Sequence, residues 1–400
     1  MRVVIVGAGQ AGAALAAKLR VLGHDGEIVF LSDEPTPPYQ RPLLSKTYLL
    51  GEAGQDRLWL RTPEFWAENR IELRLNQKVT CINRVAKTVT IGDETLSYDH
   101  LALTTGSIPR RLPASIGGSL EGVYTLRTLA DVDAMRAEFR ARRKVIIVGG
   151  GFIGLEVAAV ATKLGLDVTV LEMAPRLLQR VVSPETSNYV RALHQSNGVM
   201  VLELTGLDRL IGTTRVTGAL LKDGRELPAD FVIVGVGITP NTHLAASAGL
   251  TIENGIATDE MGRTSDPTIW SAGDCASFPW KHGRLRLESV GNAIDQAETV
   301  AANILGATVA YEAKPWFWSD QFDLTFQIAG LSTGYDRIVS RRAEGDAASF
   351  WYFRGRELIA VDAMNDSRAY MVGKRLIELK KSPPPDVLET VGDLRRLLKG

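Results

Sequence analysis

The chain has 400 residues, of which 45% are hydrophobic, and this length exceeds what one hydrophobic core usually organises. Its 46 basic residues balance its 46 acidic residues, which excludes an overall charge that would favour nucleic acid or a membrane surface as a partner. We therefore expect two or three packed domains.

The cysteines and the N-terminus restrict the redox chemistry and the location. Only Cys81 and Cys275 are present, in neither a C-x-x-C nor a metal-ligand spacing, so we expect no metal site and a reducing cytoplasm. A strand is predicted from Val3, which leaves no room for a signal or transit peptide. No apolar run approaches the roughly 18 residues that span a bilayer. We expect a cytoplasmic protein without a membrane segment.

Two segments share one pattern: an apolar β-rich run, a glycine cluster, a helix of small residues and a strand that ends in an acid. The first copy comprises the strand Val3 to Val6, the glycines Gly7, Gly9 and Gly12, a helix through Leu22, and the strand Glu27 to Leu31 followed by Asp33 and Glu34. The second comprises Lys144 to Val148, Gly149, Gly151 and Gly154, a helix to about Leu164, and Asp167 to Leu171 followed by Glu172.

Further elements are predicted between and after these copies. Glu94 to Thr105 reads as a hairpin or a sheet extension, and Asn292 to Leu305 as a helix. Additional strands are predicted at Val199 to Leu204, Thr217 to Leu221 and Phe231 to Val236. From Trp316 the hydrophobic period becomes two, which predicts a small antiparallel sheet with terminal helices, the last two separated by Pro383 to Pro385.

The glycine motifs indicate dinucleotide binding. Glycines let the strand turn tightly and the backbone approach a pyrophosphate, whose charge meets the N–H groups of the helix start. One such motif is weak support, but two copies in the same context fit a flavin and a nicotinamide. If the second copy is the nicotinamide site, Glu172 would accept hydrogen bonds from both ribose hydroxyls of NADH and repel a 2′-phosphate. Arg176 and Arg180 follow closely; they are either solvated charges or a partial accommodation of NADPH.

The whole chain resembles the FAD-dependent pyridine nucleotide oxidoreductases, on five motifs. These are Gly7-x-Gly9-x-x-Gly12, Thr104-Thr105-Gly106, Gly149-x-Gly151-x-x-Gly154, Gly235-Val236-Gly237 and Ala272-Gly273-Asp274. The resemblance implies an α/β, glutathione reductase-like fold with two Rossmann-like dinucleotide-binding domains and a C-terminal α+β domain with an antiparallel sheet. The implied domains are 1–112 with 243–315 for FAD, 113–242 for NADH, and 316–400 as an interface domain.

Within that family, four segments resemble the oxygenase-coupled, putidaredoxin reductase-like ferredoxin reductases. They are Arg41 to Lys46, Gly149 to Glu156, Leu287 to Val290 and Pro315 to Gln321. Many relatives with disulfide or peroxide chemistry carry a cysteine in the helix entered around residues 40 to 50. In this chain that region, which reads from Pro37 to Lys46, has none. Apoptosis-inducing factor shares part of the pattern, so a redox-sensing relative stays an alternative.

The resemblance also implies site residues. Lys46 is expected beside the flavin and paired with Glu156, and Trp318 at the flavin edge; these three are the expected catalytic residues. Phe152 is either a ring over the flavin or a packing residue. The residues expected to bind cofactors are Gly7, Gly9, Ala11, Gly12, Asp33, Arg41, Lys46, Val79, Arg127, Asp274, Val290, Gly149, Gly151, Ile153, Gly154, Glu156, Glu172 and Gly237.

The predicted function is that of a ferredoxin–NAD(+) reductase. It passes electrons from NADH through FAD singly to a two-iron two-sulfur ferredoxin that serves a haem monooxygenase or a ring-hydroxylating dioxygenase. Docking is expected to be transient and electrostatic, with Lys314, Arg337, Arg341 and Arg342 as candidate contacts. The alternatives are a rubredoxin reductase, an NADH oxidase or a redox-sensing protein.

Overall fold

The structure is a computed structural model that describes residues 1–281, 283–342 and 345–398. The chain forms two compact units. Unit 1 consists of Met1–Gln40, Gly54–Ile108 and Ile238–Pro315, and unit 2 of Arg41–Ala53, Pro109–Gly237 and Trp316–Gly400. The division into three domains stays a prediction, and the last two residues of its C-terminal domain lie outside the described residues.

Unit 1 is built on a five-stranded parallel sheet. Its strands, in spatial order, are Ile269–Ser271, His100–Leu103, Val3–Val6, Ile28–Leu31 and Ile71–Arg74. Every residue of Val3–Val6 and Ile28–Leu31 is buried, as expected for parallel strands that are covered on both faces. The helices Gln10–Val21 and Val290–Ile304 pack together over one face with their small and aliphatic residues. A three-stranded antiparallel sheet shares the core on the other face.

The predicted hairpin at Glu94 to Thr105 is wrong, and the sheet-extension reading is correct. Glu94–Ser97 pairs with Thr88–Ile91 in the small antiparallel sheet, whereas His100–Leu103 lies beside Val3–Val6 in the parallel sheet. Burial explains the separation. The last three residues of His100–Leu103 are buried, so that strand belongs in the middle of a covered sheet.

Unit 2 contains a second parallel sheet and a separate antiparallel sheet. The parallel strands, in spatial order, are Met200–Leu202, Asp167–Leu171, Lys144–Val148, Phe231–Val234 and Val123–Tyr124. The helix Phe152–Lys163 packs on this sheet. The antiparallel strands are Trp316–Gln321, Leu324–Gly330, Glu357–Met364, Ala348–Arg354 and Arg337–Arg342. The helix Ser367–Glu378 buries its apolar face on the antiparallel sheet. This architecture confirms the predicted fold class.

The remaining elements are short. In unit 1 they are the strands Val79–Asn83, Ile238–Pro240, Ile256–Ala257, Ala276–Trp280 and Gly283–Leu285, the helices Pro63–Glu68 and His243–Ser247, and the 3₁₀ turn Gln55–Leu58. Ser107–Pro109 pairs with Ile238–Pro240. In unit 2 they are the strands Leu207–Gly212, Val216–Leu221 and Glu226–Pro228, the helices Leu129–Met135, Pro184–Ser196 and Pro385–Thr390, and the 3₁₀ turns Arg41–Leu43, Ala114–Ile116, Arg136–Glu138 and Leu394–Leu398. Among the described residues, no helix is both long and apolar enough to cross a bilayer.

The predicted helix Asn292 to Leu305 begins earlier, at Val290, because the Ser289 hydroxyl accepts a hydrogen bond from the Asn292 amide and caps the helix start. Pro385 begins the last helix, as its restricted φ favours. The proline run therefore separates the last two helices as predicted.

One buried carboxyl joins the antiparallel sheet of unit 2 to the helix Pro184–Ser196. Asp362 is 1% exposed, and its Oδ2 accepts hydrogen bonds from the Tyr352 hydroxyl and, at 2.7 Å, from the Thr186 hydroxyl. Burial raises the pKa of Asp362 to about 7, from an ordinary value of 3.8, and the two hydroxyl donors oppose this shift. The carboxyl is therefore proton-bound at pH values where it would be ionised in the unfolded chain.

Replacing Asp362 with asparagine should remove a pH dependence of stability. Between pH 3.8 and about 7 the folded protein binds the Asp362 proton and the unfolded chain does not. Its contribution to the free energy of unfolding is thus full below pH 3.8 and is lost as the pH rises towards 7. Urea unfolding at pH 4.5 and pH 7.5 should show the wild type losing stability relative to Asp362→Asn. A constant difference between the two proteins would contradict the raised pKa.

Candidate active site

The first glycine motif, in unit 1, leaves open space at the start of the helix Gln10–Val21. Gly7 has φ +106°, and a Cβ there would lie 2.3 Å from the Thr104 carbonyl oxygen. A Cβ on Gly12 would lie 2.2 Å from the Gly7 carbonyl oxygen. By contrast, a Cβ on Gly9 would meet no atom within 4 Å. No side chain caps this helix and no acid occupies its first turn, so its free N–H groups fit an anionic pyrophosphate.

The second motif, in unit 2, repeats this geometry. Gly149 has φ +111°, and a Cβ there would lie 2.3 Å from the Gly235 carbonyl oxygen, whereas a Cβ on Gly151 would meet nothing within 4 Å. The helix Phe152–Lys163 also lacks a side-chain cap and a first-turn acid. The other described helices of 12 or more residues are capped by a side chain, namely Ser183, Ser289 and Asp366. Uncapped starts therefore distinguish the two glycine helices, and both fit a dinucleotide.

The acids that follow the second strands have different surroundings. Glu172 is half-buried; its Oε2 accepts from the Gly150 amide at 2.8 Å and its Oε1 from the Ala174 amide at 2.7 Å. These bonds hold the carboxylate beside the glycine turn, and each oxygen keeps acceptor capacity for a ribose hydroxyl. Asp33 is exposed at the end of its strand.

Gly237 has φ +100°, and a Cβ there would lie 3.5 Å from the Arg180 guanidinium.

Three other expected FAD contacts in unit 1 lie on different elements. A Cβ on Gly273 would lie 2.9 Å from the Ala11 Cβ, so the Ala272-Gly273-Asp274 segment packs against the start of the first glycine helix. Asp274 Oδ2 accepts from the Ser107 hydroxyl at 2.9 Å. Val290 is the first residue of its helix, and Val79 is 8% exposed within the core under the parallel sheet. Their contacts with a cofactor stay predictions.

The predicted pairing of Lys46 with Glu156 is present in unit 2. Lys46 Nζ lies 2.7 Å from Glu156 Oε2, with side-chain exposures of 13% and 3%. The Ser45 hydroxyl donates to the same oxygen at 2.5 Å, and the Ser319 hydroxyl donates to Oε1 at 2.7 Å. Lys46 Nζ also donates to the Pro42 carbonyl at 3.2 Å. A charge removed this far from water requires such partners, and both carboxylate oxygens have them.

Four residues around this pair had no role predicted from the sequence: Ser45, Ser319, Gln321 and His194. Gln321 Nε2 donates to the Ser319 hydroxyl at 3.0 Å, and His194 Nε2 lies 2.8 Å from Gln321 Oε1. The period-two pattern of the strand Trp316–Gln321 was the available signal, because it puts Ser319 and Gln321 on one face. His194, on the helix Pro184–Ser196, carried no sequence signal.

The aromatic residues of the same strand divide between its two faces. Trp318 stacks on Trp316 with ring centroids 5.5 Å apart, on the face opposite to Ser319. The Phe152 ring packs against Phe317 at 4.6 Å and Phe326 at 5.8 Å. Packing therefore accounts for the position of Phe152 without a cofactor.

The other expected cofactor residues of unit 2 occupy partly open positions. Arg41 donates to the Arg127 carbonyl at 2.8 Å, which brings these two residues together. Ile153 is 43% exposed at the start of its helix, so its side chain is available to a ligand.

Arg176 donates to the Val182 and Gln179 carbonyls, so its guanidinium has backbone partners within the fold. This supports a structural role and not the binding of a phosphate.

The cysteines occupy contrasting positions in unit 1. Cys275 is fully buried, with its Sγ 3.5 Å from the Leu103 and Ala272 carbonyl oxygens, and Cys81 is exposed on an edge of the small antiparallel sheet. Both thiols are free. The interpretation of Cys275 as a buried small residue fits this environment.

Arg341, one of the four cations expected at a docking surface, has a structural role. Its guanidinium donates to the Leu388, Glu389 and Val391 carbonyls at the end of the helix Pro385–Thr390. Arg337 lies 3.6 Å from Glu389, and Arg342, on the opposite face of the strand, is exposed. Lys314, in unit 1, is exposed.

Comparisons with known proteins agree with this geometry. The family model described as pyridine nucleotide-disulphide oxidoreductase matches residues 1–297, and the reductase C-terminal model matches residues 316–398. Putidaredoxin reductase of Pseudomonas putida is 41% identical over 399 residues, covering 96% of this chain and 94% of the relative. A rubredoxin-NAD(+) reductase of Pseudomonas putida is 38% identical over 372 residues, covering 91% of this chain and 96% of the relative.

A solved structure extends the similarity to the whole fold. The reductase in the crystal structure of the covalent putidaredoxin reductase–putidaredoxin complex superimposes with a TM-score of 0.95 at 40% identity, covering 100% of this chain and 98% of that chain. Both glycine motifs fit the FAD and NAD(H) that the matched family uses. The chain is therefore an oxidoreductase that belongs to the pyridine nucleotide-disulphide oxidoreductase family, within its putidaredoxin reductase-like ferredoxin reductases.

Proposed function

We propose that this protein passes electrons from NADH through FAD, one at a time, to a two-iron two-sulfur ferredoxin that serves an oxygenase. The observation that carries the proposal is the buried Lys46–Glu156 pair at the second glycine helix, in a chain whose segment 37–46 has no cysteine. The ferredoxin partner is supported by the relatives, one of which was solved in complex with putidaredoxin. A cytoplasmic location belongs to the same proposal.

The residues of the chain have separate tasks in this function. FAD, when bound, supplies the conversion of one hydride from NADH into two single-electron transfers. Glu156 holds Lys46 by charge and orients the nicotinamide carboxamide; the Lys46 ammonium stabilises negative charge that develops near it. Trp318 stays a candidate for the path of the electrons. Cofactor contacts of Asp33, Arg41, Val79, Arg127 and Val290 belong to the same proposal.

NADH is the proposed electron donor rather than NADPH. The Glu172 carboxylate is held in place by two backbone amides beside the glycine turn, where it would repel a 2′-phosphate. Arg176 is occupied by carbonyl partners, which makes it less available to bind a phosphate.

Docking of the ferredoxin is proposed to be transient and to use local cations. Arg342 and Lys314 are exposed, and Arg337 is paired with Glu389 only at 3.6 Å. Arg341 is not available for docking because its guanidinium donates to three backbone carbonyls. Electrostatic docking of this kind weakens steeply with ionic strength.

A rubredoxin is the second candidate acceptor, because one of the relatives is a rubredoxin-NAD(+) reductase. The test is NADH-dependent reduction of cytochrome c with an added two-iron two-sulfur ferredoxin, with a rubredoxin, or with neither, while oxygen uptake is recorded. Ferredoxin should stimulate the rate most. A larger stimulation by rubredoxin, oxygen uptake that accounts for all NADH consumed, or negligible turnover in every case would each contradict the proposal.

Replacing Lys46 or Glu156 with alanine should slow hydride transfer from NADH by roughly ten- to thousandfold, the scale of positioning and electrostatic effects. Each single variant leaves a buried charge without its partner, so the double variant should be less than additive. Stopped-flow absorbance of the FAD-loaded protein measures this rate. Electron transfer from the pre-reduced protein to ferredoxin should change less.

Glu138→Ala is the matched control for these variants. Glu138 is also buried and pairs with Arg143 and, at 2.6 Å, with Arg215. Arg143 directly precedes the strand Lys144–Val148, whereas the glycine motif follows it, so this pair lies at the opposite end of the strand from Gly149. Its loss should lower stability and leave hydride transfer within about threefold. Unchanged hydride-transfer rates in both Lys46→Ala and Glu156→Ala, with FAD bound, would show that the pair has no part in the reaction.

Replacing Glu172 with glutamine should shift cofactor preference towards NADPH. The change removes the charge that repels a 2′-phosphate while keeping the side-chain shape, so the ratio of kcat/KM for NADH to that for NADPH should fall about ten- to hundredfold. Asp167→Asn, at the exposed start of the same strand, is the control and should leave the ratio unchanged. A wild-type preference for NADPH would overturn the assignment of Glu172.

The double variant Cys81→Ser, Cys275→Ala should retain ferredoxin reduction. Neither thiol has a redox role in the proposed reaction, and the buried Cys275 side chain contributes packing and a weak S–H hydrogen bond. The expected kcat is within about twofold of wild type, with a small decrease in Tm from the cavity at position 275. Loss of ferredoxin reduction in a variant that still binds FAD would refute a mechanism without cysteine.

A further inference from the structure

A line of buried hydrogen bonds leads from the Glu156 carboxylate to a histidine on another helix. Ser319 Oγ lies 2.7 Å from Glu156 Oε1, Gln321 Nε2 lies 3.0 Å from Ser319 Oγ, and His194 Nε2 lies 2.8 Å from Gln321 Oε1. Ser319, Gln321 and His194 are each 0% exposed. Four polar side chains therefore share one interior, in contact with one another.

Chemistry assigns the direction of every bond in this line. A carboxylate only accepts hydrogen bonds, so the single Ser319 hydroxyl proton points to Glu156. The Ser319 oxygen then accepts from the Gln321 amide nitrogen, which turns the Gln321 amide oxygen towards His194. The imidazole must donate from Nε2. Each member thus donates towards Glu156, and bonds aligned in this way strengthen one another.

The surroundings of His194 agree with a neutral ring in the Nε2–H form. Burial lowers the pKa of His194, and the hydrogen bond with Gln321 opposes this shift only in part. Its Nδ1 is buried and has no hydrogen-bond partner among the described residues. The Phe322 ring lies edge-on at 5.1 Å between centroids. A neutral ring with an Nδ1 lone pair costs less here than a cation with an unpaired N–H.

We propose that Ser319, Gln321 and His194 are positioning residues, which hold the Glu156 carboxylate in the orientation that the NADH reaction needs. The inference deepens the proposed function and rests on it. The line joins the helix Phe152–Lys163, the strand Trp316–Gln321 and the helix Pro184–Ser196. It restricts Glu156 Oε1, whereas Lys46 and Ser45 hold Oε2. It does not conduct protons, because the Gln321 amide would have to lose and regain one.

The test uses the FAD-loaded protein with Ser319→Ala, Gln321→Leu and His194→Phe. We expect Ser319→Ala to slow hydride transfer from NADH by about tenfold, the factor for one lost hydrogen bond to a charged group, and the other two by about three- to tenfold. The Kd for NADH should change less than about threefold, because the loss is one of orientation. His194→Gln, which offers an amide N–H near the position of Nε2, should restore most of the rate.

Ser349→Ala is the control for loss of a buried hydroxyl. Ser349 is also 0% exposed in the same antiparallel sheet, where its oxygen accepts from the Trp351 indole N–H at 3.1 Å, and it has no bond to the line. This variant should have a lowered Tm and an unchanged hydride-transfer rate. A purely structural role for Ser319 would make Ser319→Ala behave like Ser349→Ala, and that result would overturn the inference.

A second measurement is made on the wild-type protein and requires one variant, His194→Gln, only for assignment, so it tests the hydrogen-bond line even where the other variants fail to fold. The chain has 5 histidines, and ¹⁵N-histidine NMR with His194→Gln for assignment reports the tautomer of His194 directly. The Nε2–H form is expected, and the Nδ1–H form or a charged ring at pH 7.5 would overturn the inference. If the wild-type protein does not accept hydride from NADH, the proposed function is wrong. The tautomer measurement would still test whether the hydrogen-bond line exists.

Discussion

The Glu156 carboxylate imposes the main constraint on unit 2. At 3% exposure it has lost nearly all of its hydration, and an ionised carboxylate in such a place is stable only with close donors. Those donors come from two separate segments: Lys46 and Ser45 after the turn Arg41–Leu43, and Ser319 on the strand Trp316–Gln321. The segments must be packed together before the charge is compensated. The candidate site of unit 2 is therefore complete only when these segments of the unit are folded together.

The two glycine helices illustrate a second constraint, which the chain meets twice. Each must begin without a capping side chain so that its N–H groups remain available, and this leaves each helix start less stable on its own. A bound pyrophosphate would supply the missing acceptors. Binding of each dinucleotide should therefore stabilise the unit that holds it, in addition to providing the chemistry.

The strand Trp316–Gln321 shows how one element serves two purposes. Successive side chains of a strand point to opposite faces, so Ser319 and Gln321 enter the buried polar line while Trp316 and Trp318 stack on the other face. It is also an edge strand of its sheet, paired with Leu324–Gly330 on one side only. A one-residue shift in its register would exchange the two faces, which makes the register as important as the residue types.

The sequence alone was sufficient for the features that depend on local periodicity and backbone freedom. The two strand–glycine–helix units, the buried parallel strands, the antiparallel C-terminal sheet and the break at Pro383 to Pro385 follow from residues close together in the chain. The pairing of Lys46 with Glu156 was predicted only through the resemblance to a family. The hairpin at Glu94 failed because the partner of His100–Leu103 is Val3–Val6, far away in sequence.

Tertiary structure alone decided which polar groups share the interior. No role was predicted for His194, Gln321, Ser319 or Asp362, and their roles appear only when strands and helices distant in the chain bury them together. Arg341 and Arg342 are neighbours in sequence, yet one holds a helix end and the other is exposed. Periodicity and turn preferences act along the chain, so the sequence by itself determined the helices and strands. Hydrogen bonds and burial depend on position in space, so only the folded structure determined which polar side chains interact.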